Sequence, residues 1–213
     1  NPVSNIRMLS KLLRDDVETL TKGEIVEFSG DIYTVSERMF ELITTLLDVS
    51  AIEQGTLRFN FSVFEIASLA ENVVNNYRGR AQAKEITLHF EQNQNTEGLE
   101  RYTLVAYADK NATLQILDNL LSNAVKYSPT GKNIVVRTAN VQNTTRISVQ
   151  DEGPGLSDDD KSKLFGKFAR LSAQPTGGEH SSGLGLSIVK KMVEAMQGRV
   201  WCESEFGKGS TFI

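Results

Sequence analysis

The sequence has 213 residues, of which 39% are hydrophobic and 23% charged, and its formal net charge is -4. This is the composition of a folded globular protein, which excludes an intrinsically disordered chain, and the slightly acidic balance excludes broad affinity for nucleic acid or anionic lipid. A single cysteine excludes an intramolecular disulfide, two histidines disfavour a zinc site, and without a long apolar run or a signal peptide we expect a cytoplasmic chain.

Two helical patterns, separated by a polar break at Thr21–Glu24, occupy residues 1–53. In the second pattern, apolar residues alternate steps of four and three from Phe28 to Val49, which is a heptad seam. A lone hairpin this short cannot bury two apolar faces, whereas two hairpins packed as a four-helix bundle can. We therefore predict that residues 1–53 form a helical hairpin that makes a homodimer. The alternative is a hairpin that lies on its own globular domain.

Residues 54–213 show strand and helix patterns without regular βαβ alternation, which predicts an α+β fold, with an α/β sandwich as the second domain. The predicted strands, in chain order, are 57–61, 86–90, 104–107, 134–138, 145–150, 199–204 and 210–213. The predicted helices are 66–77, 109–127 and 185–196, with a short helical piece at 159–168.

Three polar residues of the helix predicted at 109–127 share one face. Asn119, Asn123 and Lys126 lie at positions i, i+4 and i+7. Amide oxygens are hard ligands suited to Mg²⁺, and a lysine beside them suits a polyphosphate. On spacing alone, a solvated helix face is an equally open interpretation.

A carboxylate and two spaced glycines follow the strand predicted at 145–150. Gly153 and Gly155 allow a ligand to approach the backbone closely, and Asp151 can accept a hydrogen bond from an exocyclic amine such as that of adenine. An ordinary turn is the alternative for this motif by itself.

Two further glycine motifs come later in the chain. Gly183-Leu184-Gly185 opens a helix, where backbone N–H groups and the helix dipole favour an anion, although such a motif is common. Gly207-Lys208-Gly209 predicts, by itself, only a hairpin connection.

In this order and spacing, the motifs resemble the conserved core of a bacterial sensor histidine kinase, whose ATP-binding fold is shared with gyrase, the heat-shock chaperone ATPase and mismatch-repair ATPases. The matching segments are the dimerisation and histidine-phosphotransfer hairpin at 1–53, the N box at 118–128, the phenylalanine box at 164–168 and glycine boxes at 151–155, 183–186 and 207–209. The resemblance covers essentially the whole chain. It implies phosphorylation of a histidine by Mg-ATP and phosphotransfer to an aspartate of a response regulator.

For the phosphates, the resemblance implies that Asn123 coordinates magnesium and that Asn119 contacts phosphate or metal-bound water. Lys126 would neutralise phosphate charge, and Arg170 matches a position from which basic residues reach the γ-phosphate. The helix start would hold phosphate oxygens through Gly183, Leu184 and Gly185.

For the adenine, the resemblance implies that Asp151 binds the exocyclic amine and that Tyr127 stacks near the ring. Gly153 and Gly155 would clear space for the ring, Thr211 would line the adenine pocket, and Phe165 is a further implied cofactor-binding residue. The polar, glycine-containing stretch 156–182 is expected to form a mobile lid over the nucleotide, with Phe165 and Phe168 as its apolar anchors.

The sequence departs from the family at its first residues. Asn1-Pro2 corresponds to the end of the family's phosphoacceptor motif, so we expect the acceptor histidine just upstream, in a longer receptor. By resemblance, Asn1 positions the water that dephosphorylates the regulator; alternatively it caps or continues the helix. We expect His89 to be a core or edge-strand residue, and His180 to be a solvated loop residue.

Two rival functions stay open on the sequence. One is a non-catalytic dimerisation and docking module, against which the intact Asn123, Asp151 and lid glycines argue. The other is a nucleotide-gated ATPase of the gyrase type, against which the heptad hairpin argues.

Overall fold

The computed structural model describes residues 2–56, 58–93, 103–142, 144–169, 171–177, 179, 181 and 183–213. The chain divides into two compact units, residues 1–51 and 52–213. Among the described residues, no helix combines the length and the apolar character needed to cross a membrane.

The described residues of the first unit form two helices, α1 (Pro2–Asp15) and α2 (Lys22–Glu53), and the last two residues of α2 belong to the second unit. A capping box starts α2, because the Glu24 carboxylate accepts hydrogen bonds from the backbone N–H and hydroxyl of Thr21 while Thr21 Oγ1 accepts from the Glu24 N–H. The break between the helices is therefore at residues 16–21, slightly earlier than predicted. Apolar side chains of both helices are exposed, including Met8, Phe40 and Leu47.

The part of the second unit that the structure describes forms two sheets and four helices. Its strands are β1 (Phe61–Glu65), β2 (Thr87–Asn93), β3 (Val105–Asp109), β4 (Asn133–Val141), β5 (Thr144–Asp151), β6 (Cys202–Glu205) and β7 (Gly209–Phe212). Its helices are α3 (Ile66–Ala83), α4 (Lys110–Tyr127), α5 (Asp158–Lys163) and α6 (Gly185–Ala195). The mixed α+β class predicted from the sequence is confirmed.

The strands pair as a small antiparallel sheet, β1–β3, and a five-stranded sheet in the order β2-β4-β5-β7-β6. Within the described residues of the larger sheet, β2 and β4 run parallel and the other neighbouring strands run antiparallel. His89 lies on the edge strand β2 with its side chain exposed, in agreement with one of the two placements expected for it.

The core lies between one face of the five-stranded sheet and the helices. Val74 of α3, Leu121 of α4 and Val189 of α6 are buried in one cluster with Ile134 and Val149 of the sheet. Side chains on β4 alternate between buried and partly exposed positions, as expected for a sheet covered on one side. On the other face, Arg137 donates hydrogen bonds to Glu91 and Gln150.

Several element boundaries differ from the sequence predictions: among others, α3 continues to Ala83 rather than ending at residue 77, and β6 begins at Cys202 rather than at residue 199. The first strand was predicted at 57–61, but β1 starts at Phe61, because its ladder with β3 begins at the Phe61–Asp109 pair. The short helix was predicted to reach residue 168, but α5 ends at Lys163, since Gly166 turns the chain back onto the Lys163 carbonyl. Phe168 then adopts a left-handed backbone conformation, with φ of 56°.

Candidate functional site

The helix α4 is held at its start by Asp109, whose side chain accepts hydrogen bonds from the backbone N–H groups of Asn111 and Ala112. Its apolar face, which includes Leu117, Leu121 and Ala124, is buried in the core. The positions Asn123 and Tyr127, one turn apart, lie toward the edge of the core, where a cavity opens.

This cavity has a volume of about 50 Å³. It brings together four residues that the sequence predicted for a binding site: Asn123, Tyr127, Asp151 and Gly155. The rest of the lining is Pro154, Leu156, Leu164, Leu171, Ala173, Leu186, Ser210 and Phe212. A mostly apolar cavity with a few convergent polar groups is typical of a small-molecule site.

Asp151 is the buried charged residue of the cavity lining, with 7% of its surface exposed, and Ser210 beside it is a buried polar residue. Asp151 Oδ1 accepts hydrogen bonds from the backbone N–H of Gly153 at 2.8 Å and of Ser210 at 3.3 Å. Burial raises the pKa of Asp151 to about 6, and the two N–H groups only partly offset that effect. Among the described residues, both of these hydrogen bonds go to Oδ1 and none reaches Oδ2.

The loop after β5 folds against the turn that precedes β7. Gly155 has φ of 68°, and a Cβ at this position would overlap the Glu205 carbonyl oxygen. The Gly207 N–H donates to the Pro154 carbonyl at 2.7 Å. The glycine turn at 207–209, for which the motif alone predicted only a hairpin connection, thus supports the loop that forms one wall of the cavity.

The start of α6 lies against the polar face of α4. A Cβ at Gly185 would come within 2.7 Å of Asn119 Oδ1, so a larger residue there would require the Asn119 side chain to shift. Asn119 Nδ2 donates to the Gln115 carbonyl one turn earlier in α4. Gly183, with φ of 69°, precedes the N-cap residue Leu184, whose side chain is buried.

Several predicted site residues do not line the cavity: Asn119, Lys126, Gly153, Phe165, Gly183, Leu184, Gly185 and Thr211. Gly153 nevertheless contributes the N–H that holds Asp151, and Asn119 contacts the start of α6. Phe165 packs against the core, with Lys190 Nζ 5.7 Å from its ring centroid. The positions Asn1, Arg170 and His180 lie outside the described residues.

Two predictions about this region need correction. Phe168 is 60% exposed and is not an apolar anchor. The residues of the stretch 156–182 that line the cavity are Leu156, Leu164, Leu171 and Ala173. Thr211 was expected to line the pocket, but the structure places Ser210 and Phe212 there. Successive side chains of a strand point to opposite faces of the sheet, so a displacement by one residue in β7 moves the residue out of the cavity.

Comparison with known proteins finds ATPases and kinases. Residues 108–213 match the family model described as histidine kinase-, DNA gyrase B-, and HSP90-like ATPase. The chain is 33% identical over 207 residues to the circadian input-output histidine kinase CikA of Synechococcus elongatus, a match covering 97% of this chain and 27% of CikA. It is also 33% identical over 178 residues to the sensor histidine kinase WalK of Bacillus subtilis, a match covering 83% of this chain and 28% of WalK. The chain therefore spans about a quarter of the length of these two relatives.

Among solved structures, full-length ShkA in complex with AMPPNP has a similar fold, with a TM-score of 0.75 at 23% sequence identity. The match covers 99% of this chain and 42% of that chain.

Proposed function

We propose that this chain is the catalytic core of a sensor histidine kinase, a proposal supported by the match of residues 108–213 to the family model of histidine kinase-, DNA gyrase B-, and HSP90-like ATPases. It binds Mg-ATP in the cavity at Asp151 and transfers the γ-phosphoryl group to a histidine upstream of Asn1. An aspartate of a response regulator then receives the phosphoryl group. The names of CikA and WalK, both histidine kinases, support this assignment.

The observation that carries the proposal is the acceptor oxygen of Asp151. A buried carboxylate is costly unless it is paired, and here the chain supplies donors to Oδ1 alone among the described residues. An exocyclic amine of adenine can donate to Oδ2, and Tyr127 and the apolar lining fit the faces of a flat base. A guanine base has a carbonyl at the corresponding place, which cannot donate a hydrogen bond.

The residues present fit a nucleotide whose magnesium ion is held largely by phosphate oxygens. Within the described part of the chain, no cluster of three or more His, Cys, Asp or Glu side chains could hold a metal ion. Asn123 lines the cavity, and its amide oxygen is the hard ligand that we assign to the metal. When bound, the ion supplies neutralisation of phosphate charge.

The phosphates would extend from this cavity toward the N-terminus of α6. This helix has no acidic residue in its first turn and begins directly after Gly183 and Leu184, so its dipole favours an anion. We assign Asn119, Lys126 and Arg170 to the phosphates as well. With no covalent step in this domain, catalysis is positioning and charge neutralisation.

The remaining parts of the proposal concern partners. Residues 1–53 make the homodimer, and the response regulator is the acceptor of the phosphoryl group. We assign Asn1 to dephosphorylation of the regulator, where its amide would orient the attacking water.

Titration calorimetry with ATP and GTP, each with and without Mg²⁺, tests the nucleotide site. We expect ATP to bind at least 10-fold more tightly than GTP, and Asp151→Ala to lose most of that preference, about 1–3 kcal/mol for an unpaired buried group. Asn123→Ala should remove the Mg²⁺ dependence, whereas Asn111→Ala, an exposed asparagine of the same helix, serves as the matched control. A chain that binds no nucleotide would contradict the proposal and favour the non-catalytic docking module.

A further inference from the structure

One wall of the cavity is formed by a segment of the lid that is held at both of its ends. Leu171 and Ala173 line the cavity, while Ser172 and Thr176 make hydrogen bonds to other elements. The position of this wall therefore depends on the residues that hold Ser172 and Thr176.

The first attachment is the carboxylate of Asp160, in α5. Asp160 Oδ1 accepts a hydrogen bond from the Ser172 N–H at 2.9 Å, and Oδ2 accepts from the hydroxyl groups of Ser172 and Ser157. These hydrogen bonds, those from Ser172 first, lower the pKa of Asp160 to about 2. The attachment joins the wall to α5, an element of the same lid.

The second attachment joins the wall to the C-terminal end of α4. The Thr176 N–H donates to the Lys126 carbonyl at 2.9 Å, and Thr176 Oγ1 lies 2.9 Å from the Ser128 carbonyl oxygen. Lys126 and Ser128 flank Tyr127, which lines the cavity. The wall is thus fixed to the same helix end that places Tyr127.

Lys84, just after α3, organises this second attachment. Its Nζ donates to Thr176 Oγ1 at 2.7 Å and to Glu179 Oε1 at 3.0 Å. It also lies 2.8 Å from the Val125 carbonyl oxygen and 3.2 Å from that of Lys126. An ammonium group at the carbonyl end of a helix is favoured by the helix dipole. Lys84 therefore bonds to α4 and to the lid at once.

The Lys84–Glu179 ion pair is partly withdrawn from solvent, with side-chain exposures of 18% and 31%. An exposed ion pair contributes little to stability. The ammonium group of Lys84, however, also donates to carbonyl groups at the end of a helix, and its removal leaves those carbonyls with one donor fewer. Glu179 is in turn fixed by the Gly177 N–H at 2.8 Å. Lys84 thus connects the end of α4 with Thr176 directly, and with Gly177 through Glu179.

We propose that Lys84 is a positioning residue of the nucleotide site: it ties Thr176 and Glu179 to the end of α4, holds the wall of Leu171 and Ala173 over the bound nucleotide, and limits the rate of nucleotide release. This inference rests on the proposed function. Lys84 lies outside the motifs that predicted the site, and it is not among the residues that line the cavity. Its effect on the nucleotide is therefore transmitted through the lid.

The test uses Lys84→Met and Glu179→Gln. Matched controls are Lys163→Met and Asp159→Asn, which remove the partners of an exposed ion pair of α5 in the same lid. Hydrogen exchange of residues 171–177 is measured without nucleotide, and the release rate of a fluorescent non-hydrolysable ATP analogue is measured with Mg²⁺. Both Lys84→Met and Glu179→Gln should speed exchange and raise the release rate about 10-fold, whereas the controls match the parent. Lys84→Arg, which keeps the charge, should recover most of the parent's release rate.

Unchanged release in both Lys84→Met and Glu179→Gln would overturn the proposal, as would an equal increase in the controls. If Lys84→Met unfolds, Glu179→Gln decides the question, because that substitution keeps Lys84 at the end of α4. A parent that binds no analogue would overturn the proposed function. The exchange of residues 171–177 would then still decide whether Lys84 holds this wall.

Discussion

Asp151 carries a negative charge that its surroundings disfavour. It lies at the end of β5, with its side chain in a mostly apolar cavity and backbone donors on one oxygen. Such a carboxylate lowers the stability of the nucleotide-free protein, but it can accept a hydrogen bond from an amine of a ligand. The structure brings Asp151, Asn123, Tyr127 and Gly155 to one cavity, and their roles toward a nucleotide remain predictions.

The raised pKa of Asp151 predicts how stability depends on pH. A carboxyl group whose pKa rises from 3.8 to about 6 on folding stabilises the fold fully below pH 3.8, and this contribution is lost as the pH rises through 6. We therefore expect the nucleotide-free parent to lose roughly 2–3 kcal/mol of unfolding free energy relative to Asp151→Asn between pH 4 and pH 7. Urea denaturation at several pH values measures this difference.

The control for that experiment is Asp158→Asn, which removes a carboxylate whose side chain is fully exposed. A difference between the parent and Asp151→Asn that stays constant with pH would show that Asp151 is not a buried acid in solution.

At the scale of elements, local periodicity predicted the bounds of two helices closely, whereas α3 runs six residues past its predicted end and α5 stops five residues short of it. Helices α4 and α6 begin and end within a residue or two of their predicted bounds, because an amphipathic helix is encoded in neighbouring residues. The bounds of β1 depend instead on its partner β3, whose paired residues are 40 or more positions away in the sequence.

Contacts between distant residues explain what the sequence could not predict. Whether Ser210 or Thr211 lines the cavity depends on the register of β7 against β5, which pairs Asp151 with Ser210. Lys84 belongs to no motif, since its lid partners Thr176 and Glu179 are 92 and 95 residues away. The motifs identified four of the residues that line the cavity, but not Lys84, which contacts the segment behind two of the others.

The register of β7 gives a prediction with a built-in control. Ser210→Leu should fill the 50 Å³ cavity and weaken ATP binding by about 100-fold or more. Thr211→Leu, on the other face of the sheet, should leave affinity close to that of the parent. Calorimetric titration with Mg-ATP, with thermal melts to verify folding, measures both. Equal losses in the two variants would contradict the assigned register.

At the scale of the whole molecule, the first unit is a pair of helices whose apolar side chains are not all buried. Met8, Phe40 and Leu47 are more than half exposed, and the sequence places Leu42 and Leu46 in the heptad seam of α2. The side chains of Leu42 and Leu46 lie outside the described part of the chain. The dimer therefore rests on the sequence pattern and on these exposed apolar residues.

We expect the double substitution Leu42→Asp and Leu46→Asp to give a monomer, because it places uncompensated charge in the seam. Light scattering measures the mass, and Glu37→Lys, an exposed position of α2, is the control for altered charge. Binding of ATP by residues 52–213 should persist in the monomer. A parent that is monomeric at high concentration would contradict the predicted dimer.

The central claim is that nucleotide bound at Asp151 supplies a phosphoryl group to a histidine upstream of Asn1. The most direct measurement incubates ATP labelled at the γ-phosphate with this chain and with a form extended upstream through the natural sequence, and then tests the label for acid lability. We predict acid-labile phosphohistidine on the extended form, none on the 213-residue chain, and clearly weaker labelling, at subsaturating ATP, of an extended Asp151→Ala variant that binds ATP less tightly. An extended form that binds Mg-ATP but stays unlabelled, or equal labelling of the 213-residue chain, would contradict the claim.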